Sequence, residues 1–271
     1  MFKRVLVPLD GSLSATTALQ VGERLADRWD ADLHVLTLIK QGQIPSGVDH
    51  IIARQVSRLE HRPRVDIRSL SYSVAEDIAS EFDRIDDTLV VMSTWARGRS
   101  AALMTNVAED VLRLVREPIL VLGPDAEIED DWPSGPLFIT TDGSHFAEAV
   151  LEPAVELAAL LDLEPQLLTV IDPAGVPANL DRVAEFNAVA VLSEKVEAIT
   201  GKPAEYEVLH GQHPAASIVD YAERYGGSLI AMSTHGRSGT ARIALGSVAM
   251  DVVRHARCPV LLGRPLLDEH T

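Results

Sequence analysis

The sequence predicts an α/β protein built twice, as two tandem, doubly wound parallel sheets of five strands each. Three observations carry this. The first is an internal repeat, the feature to read before any other. Val5-Leu-Val-Pro-Leu-Asp10-Gly-Ser12 returns as Leu137-Phe-Ile-Thr-Thr-Asp142-Gly-Ser144, and Val90-Val-Met-Ser-Thr94 returns as Ile230-Ala-Met-Ser-Thr234. Pro118-Ile-Leu-Val-Leu-Gly123 returns as Pro259-Val-Leu-Leu-Gly263, and two further segments match in the same order, offset by 132 to 141 residues. The second observation is strict alternation of strand and helix patterns, which right-handed crossovers turn into a parallel sheet with helices on both faces. The third is the near-continuous apolar character of Val5, Leu6, Val7 and of Leu167, Leu168, Val170, Ile171, as strands buried on both faces require.

In the first copy the pattern predicts strands over 4–9, 33–39, 65–70, 88–93 and 118–122, with helices over 14–29, 49–62, 74–84 and 105–116. In the second it predicts strands over 137–141, 165–171, 204–209, 228–232 and 259–262, with helices over 145–162, 178–200, 214–225 and 246–256. The domains are therefore expected at 1–124 and 136–271. Between them, five of the seven residues from Asp125 to Asp131 are acidic and two prolines follow, which reads as a solvated linker over 125–135.

Composition narrows the function. The chain has 271 residues, 46% of them hydrophobic, enough for real cores. No apolar run approaches the about 20 residues of a membrane span. A formal charge of −16 argues against nucleic acid, which selects a basic footprint. The start of the chain shows no export pattern and there is a single cysteine, so a cytoplasmic setting is expected. Cys258, between the last helix and the last strand, reads as a small buried residue.

The chemistry gathers after the fourth strand of the second copy. Gly236, Gly239 and Gly246 can take φ > 0 or let a ligand approach the backbone. Gly246-Ser247 sits where an amphipathic helix begins, with Val248, Ala249, Val252 and Val253 at helical spacing. A helix start behind a glycine loop presents unpaired N–H groups and a positive dipole end, a natural phosphate site. Ser247 is a candidate to cap that helix or donate to an anion. In a doubly wound sheet, ligands lie beyond the carboxyl ends of the strands. Asp142, after the first strand, faces the same crevice if the first and fourth strands are neighbours.

Asp-Gly-Ser after strand one, Ser233-Thr234-His235-Gly236-Arg237 after strand four, then Gly246-Ser247-Val248 and a closing Pro-Val-Leu resemble the universal stress proteins. The resemblance spans both halves and implies a tandem member. It implies strand order 3-2-1-4-5 (the adenine nucleotide alpha hydrolase-like fold), and a Gly-x2-Gly-x9-Gly-Ser/Thr loop that binds ATP in one branch of the family. Gly236 takes the second glycine position and Arg237 to Leu245 are the nine residues; Ser233 stands where the family has its first glycine. The resemblance implies phosphates held by Gly236, Gly246, Ser247 and Val248, and the nucleoside or a divalent metal (Mg²⁺) met by Asp142. It further implies adenine or ribose beside Thr140 and Val170. The first copy departs from this pattern. Trp95 stands opposite His235, Thr105-Asn106 stand opposite Gly246-Ser247, and the loop is one residue shorter. Asn106 is expected to cap its helix.

Each reading has a plainer counterpart. Asp142 can be a turn former before Gly143-Ser144. His235 can reach a phosphate or face solvent, and Arg237 and Arg242 can neutralise phosphate or lie on the surface. His210 and His213 have a metal-like interval but no further Cys or His in the pattern, so they read as no zinc site. Adjacent Ser144 and His145 would point apart on a helix, which disfavours a nucleophile pair. There is no Walker A lysine and no clear base besides His235 and Asp142, so at most slow hydrolysis is expected. The reading is a nucleotide-binding regulatory stress protein. The alternatives are an interaction protein without nucleotide and a slow ATPase or adenylate enzyme. The resemblance also implies that the last strands, 118–122 and 259–262, pair as an intrachain pseudo-dimer, with a homodimer and a protein partner left open.

Overall fold

In the computed structural model, residues 2–39, 48–60, 63–82, 84–85, 87–94, 101–144, 149–172, 181–201, 204–234 and 246–264 are described. The chain divides into two compact units, Met1–Pro124 and Asp125–Thr271. The first runs β1 (Arg4–Pro8), α1 (Leu13–Trp29), β2 (Asp32–Ile39), α2 (Val48–Val56), β3 (Arg64–Ser69), α3 (Val74–Ala79), β4 (Thr88–Ser93), α4 (Ala101–Leu114) and β5 (Ile119–Leu122). Its strands pair in parallel in the order β3-β2-β1-β4-β5. The second runs β6 (Leu137–Thr141), α5 (Leu151–Leu161), β7 (Pro165–Ile171), α6 (Asp181–Thr200), β8 (Glu205–His210), α7 (Pro214–Arg224), β9 (Leu229–Ser233), α8 (Ser247–His255) and β10 (Val260–Gly263). It repeats the arrangement as β8-β7-β6-β9-β10, again parallel. Both units thus have the expected 3-2-1-4-5 order.

Local chemistry sets the helix ends. Ser12 caps α1, its hydroxyl accepting the Ala15 N–H at 3.1 Å. Asp30 ends α1 in the left-handed region at φ 52°, and Asp162 ends α5 the same way at φ 57°. Each donates its N–H back to the last helical carbonyls, the closing role that glycine or asparagine usually fills. The central strands are sealed. Val5, Leu6, Val7, Leu167 and Leu168 are buried, as are Leu229 and Ile230.

Several boundaries differ from the sequence reading. α2 ends at Val56 and α3 at Ala79, each giving way to turns closed by short-range backbone bonds such as Phe82 N–H to Ala79 C=O. α4 begins at Ala101 rather than near 105. α5 begins at Leu151; residues 145–148 of the expected helix, and 178–180 ahead of α6, lie outside the described residues.

The acidic stretch read as a solvated linker packs on the second unit. Trp132 is buried and its indole N–H donates to the Ser228 carbonyl at 2.9 Å. The Glu127 N–H donates to the Arg257 carbonyl at 2.8 Å, and the Ser228 N–H to the Pro136 carbonyl at 2.9 Å. One large aromatic in a charged segment supplies the apolar area that the charges lack.

The face of the first sheet beneath α3 carries a buried ionic cluster. Arg4 donates from Nη1 to Glu81 Oε2 at 3.1 Å and from Nε to Thr88 at 3.0 Å. Arg68 joins Glu81 Oε1 at 2.5 Å and Asp66 at 2.6 Å. His34 contacts Asp66 through Nε2 at 3.0 Å. Its Nδ1 lies 3.4 Å from Arg4 Nη1, which can only donate, so Nδ1 accepts and the Nε2 proton points at Asp66.

Candidate functional site

The crevice of the second unit lies at the carboxyl ends of β6 and β9. These strands pair directly, so Asp142 and the segment after Ser233 open onto one cleft. At the mouth of β6, Gly143 takes φ 74° and turns the chain. The Asp142 Oδ1 accepts the Ser144 N–H at 2.9 Å and the Ser144 hydroxyl at 2.6 Å. The Thr141 hydroxyl accepts the Gly143 N–H at 3.0 Å. Asp142 is thus the turn former that one reading expected, and it stays half-buried at the rim of the crevice, where the other reading needs it. Thr140 is buried with its hydroxyl on the Ala231 carbonyl at 3.3 Å, which ties β6 to β9 at the cleft floor. The register of β6 on β7 pairs Thr141 with Thr169, so Val170 sits beside Asp142, half-buried.

The other wall is built on Thr234. This residue is fully buried, its N–H donating to the Gly263 carbonyl at 2.9 Å. Its own carbonyl accepts the Gly246 N–H at 2.7 Å. The chain therefore leaves the sheet at Thr234 and returns at Gly246 one hydrogen bond from where it left. A Cβ on residue 246 would stand 3.2 Å from the Thr234 carbonyl oxygen, so a side chain there would press on that bond.

Gly246 is the N-cap of α8, without a side chain to cap it; Ser247 is the first helical residue and is exposed. The expectation that Ser247 caps the helix is corrected, because its backbone is already helical. The first bond of the helical ladder is Met250 N–H to Gly246 C=O at 2.9 Å. The N–H groups of Ser247, Val248 and Ala249 precede that ladder and stand at the positive end of the helix. Thr140 and Asp142 thus end β6 next to Ser233 and Thr234 at the end of β9, with Val170 beside Asp142, and Gly246 is tied to Thr234; Ser247 and Val248 line a pocket with His213 and Pro214 at the start of α7 and Asp220 along it. His235, Gly236, Arg237 and Gly239 lie outside the described residues.

The first unit repeats the frame and changes the opening. Asp10 accepts the Ser12 N–H at 2.8 Å, and Thr94 N–H meets the Leu122 carbonyl at 3.0 Å, as Thr234 meets Gly263. But α4 starts at Ala101, so Thr105 and Asn106 fall inside the helix. Their N–H groups are used by carbonyls one turn back. The expected Asn106 cap is corrected accordingly. Ala101-Ala-Leu-Met are strong helix formers and no glycine interrupts them, so the helix extends backward over the positions where the second unit keeps Gly246-Ser247. Trp95 lies outside the described residues.

A family model, described as the Universal stress protein family, matches residues 1–123 and again 136–264. The chain belongs to the universal stress protein family. A universal stress protein of Methanocaldococcus jannaschii is 34% identical over 136 residues, covering 46% of this chain and 79% of the relative. One from Mycobacterium tuberculosis is 26% identical over 185 residues, covering 65% of this chain and 61% of the relative. A solved universal stress protein from Archaeoglobus fulgidus superposes with TM-score 0.62 at 18% identity over 97% of this chain and 96% of its own, a likeness of fold.

One feature of this universal stress protein's crevice escaped the sequence reading. Thr141 and the Ser144 hydroxyl lock the turn that aims Asp142; the repeated Asp-Gly-Ser was the available signal. Cys258, at the amino end of β10 and away from the crevice, is the small buried residue the sequence predicts; desolvation pushes its thiol up to about 12, which keeps it protonated. Among the described residues no helix is long and apolar enough to cross a membrane.

Proposed function

We propose that this protein is a cytosolic nucleotide-binding regulator whose second copy holds ATP, while the first copy serves as a scaffold. The observation that carries this reading is the pair of helix starts. α8 opens at Gly246 against the Thr234 carbonyl with three N–H groups ahead of its ladder, whereas α4 has closed over the same positions. The triphosphate would lie on the N–H groups of Ser247 and Val248 and on the Ser247 hydroxyl, with Gly236, Gly239, His235 and Arg237 as the further contacts that the family pattern implies. The base and ribose would lie between Thr140, Val170 and Asp142. Mg²⁺ would enter with the triphosphate, adding positive charge beside it. Asp142 is a suitable oxygen donor for that ion, although one of its oxygens already holds Ser144.

In this reading the crevice holds nucleotide rather than turning it over. Phosphoryl transfer requires a base aligned with a nucleophile and a charge clamp on the leaving group. Asp142, the carboxylate at this rim, is engaged with Ser144 in forming a turn. Binding would therefore act by biasing shape or partner choice.

The test is to denature the purified protein, quantify released nucleotide per chain, and titrate ATP with Mg²⁺ against Ser247→Ala and Asn106→Ala. We expect one site per chain. Ser247→Ala should weaken binding roughly ten- to a hundredfold, the worth of one hydrogen bond to a charged group, and Asn106→Ala should leave it unchanged. Two sites per chain would overturn the assignment of the first copy. No bound nucleotide and no binding on titration would leave an interaction protein as the better reading.

A further inference from the structure

The family pattern covers 1–123 and 136–264, so the strap 125–135 belongs to neither copy. It nevertheless has a built seat at the amino ends of β6 and β9, the opposite end of the sheet from the nucleotide crevice. Gly135 takes φ 95° and packs so tightly on the Gly226 carbonyl that a Cβ there would collide with it. The Ser228 hydroxyl donates to the Ser134 carbonyl and the Trp132 indole to the Ser228 carbonyl.

Between the strap and α7 lies a cavity of about 340 Å³. Its floor is apolar, made by Trp132, Val219, Ala222, Ile230 and Ala256. Its rim carries Glu127, Glu129 and Asp131 from the strap and Glu223 from α7. The cation on this rim is Arg257, 3.6 Å from Glu127 and 3.4 Å from Glu223. One guanidinium against four carboxylates leaves the mouth strongly negative, and its position shows that the rim accommodates a guanidinium between two acids. The first copy carries other residues at the aligned place. Ile85 and Asp86 stand where the second copy has Tyr225 and Gly226, and Arg4 fills the position of Pro136.

An apolar floor with an aromatic wall and an acidic mouth is complementary to a long aliphatic stem ending in a cation. We propose that this pocket takes an arginine or lysine side chain presented by a basic segment of a partner protein, its stem on the Trp132 floor and its charged head among the strap carboxylates. The strap then serves as a docking element as well as a tether, and its site is separate from the nucleotide crevice.

The test titrates the full chain with the peptide acetyl-Gly-Arg-Gly-Arg-Gly-amide and with its citrulline counterpart, which keeps the shape and loses the charge. The readout is the Trp132 indole N–H resonance, assigned by its loss in Trp132→Phe. We expect the arginine peptide to shift that resonance and the citrulline peptide to bind at least fivefold more weakly. Glu129→Gln with Asp131→Asn should weaken the arginine peptide roughly fivefold, while Glu194→Gln with Glu197→Gln on α6 leaves it unchanged. No shift of the Trp132 resonance, or equal weakening by both double variants, would overturn the proposal, the latter by reducing it to diffuse charge attraction. Spermidine binding tighter than the peptide would replace the protein partner with a small polyamine.

Discussion

Glu81 and Tyr221 hold the same place in the two copies, 140 residues apart along gapless matching stretches. Each sits at the helix that covers one face of its sheet, and the two copies anchor that helix by opposite chemistry. Glu81 is buried among the guanidinium groups of Arg4, Arg68 and Arg84. Tyr221 instead packs edge-on against Phe138, with ring centroids 5.3 Å apart, and against Tyr225 at 4.4 Å. The sheet positions follow suit: Arg4, Leu6 and His34 in the first copy align with Pro136, Phe138 and Gln166 in the second. A buried ionic cluster has a large desolvation cost, which it offsets only while every member is paired. An aromatic cluster has no such condition and contributes through area and quadrupole contacts. The fold accepts both because it requires only that the face be filled and its polar atoms satisfied.

The comparison can be broken most sharply by removing one member from each cluster. Glu81→Leu leaves Arg4 buried without its acid and should cost about 3–5 kcal/mol of stability in denaturant unfolding, whereas Tyr221→Leu should cost about 1 kcal/mol. Equal costs would show that the ionic cluster is not under the strain of an all-or-none network.

A smaller effect is expected at the opposite face. Gly22 on α1 lies so close to β1 that a Cβ would stand 2.5 Å from Val7 Cγ2. The aligned residue of the second copy is Ala154, fully buried. Gly22→Ala should therefore destabilise by about 1–3 kcal/mol through overpacking, despite the helix propensity of alanine. A gain in stability would show that the two helices sit at the same height on their sheets.

The smallest effect is on pH. Burial holds His34 below its ordinary 6.5, with the Asp66 hydrogen bond opposing the shift. The unfolded chain therefore binds this proton first, and stability falls as pH drops below about 6.5. For Glu81, burial would raise the carboxyl, but the Arg68 hydrogen bond and the neighbouring guanidiniums bring it below its ordinary 4.5. Its contribution is present above that value and is lost as pH falls further. Tyr221 is raised above its ordinary 10.0, by burial first and then by Glu207. Its ionisation in the unfolded chain destabilises the second copy only in strong alkali. Amide exchange followed by mass spectrometry should show β1–β3 opening first in acid and α7 first in alkali. His34→Gln should flatten the acid slope between pH 6.5 and 5; an unchanged slope would place its origin elsewhere.

The amino-acid sequence by itself determined the repeated parallel sheet, its strand order by family, and the pairing of the first and fourth strands that puts Asp142 and Ser233 at one end of the second copy. Hydrophobic period, internal repeat and glycine placement are local signals, and the topology leaves little choice once strands and helices alternate. The start of α4 at Ala101 was legible in part, since Ala101-Ala-Leu-Met are strong helix formers, but the reading followed Asn106 as a cap instead. Only the tertiary structure decided that the acidic strap is seated. Charge patterning reports how a segment meets water, and Asp125 to Asp131 looks fully solvated; the burial of Trp132 depends on the strap meeting Ser228 and α7, which lie far along the chain. The ionic cluster is the same kind of case. Arg4, His34, Asp66 and Glu81 are scattered along the chain and look like surface residues one by one. Their gathering, with Arg4, His34 and Glu81 buried and Asp66 part-buried, follows from long-range pairing of β1, β2 and β3, which no local pattern encodes.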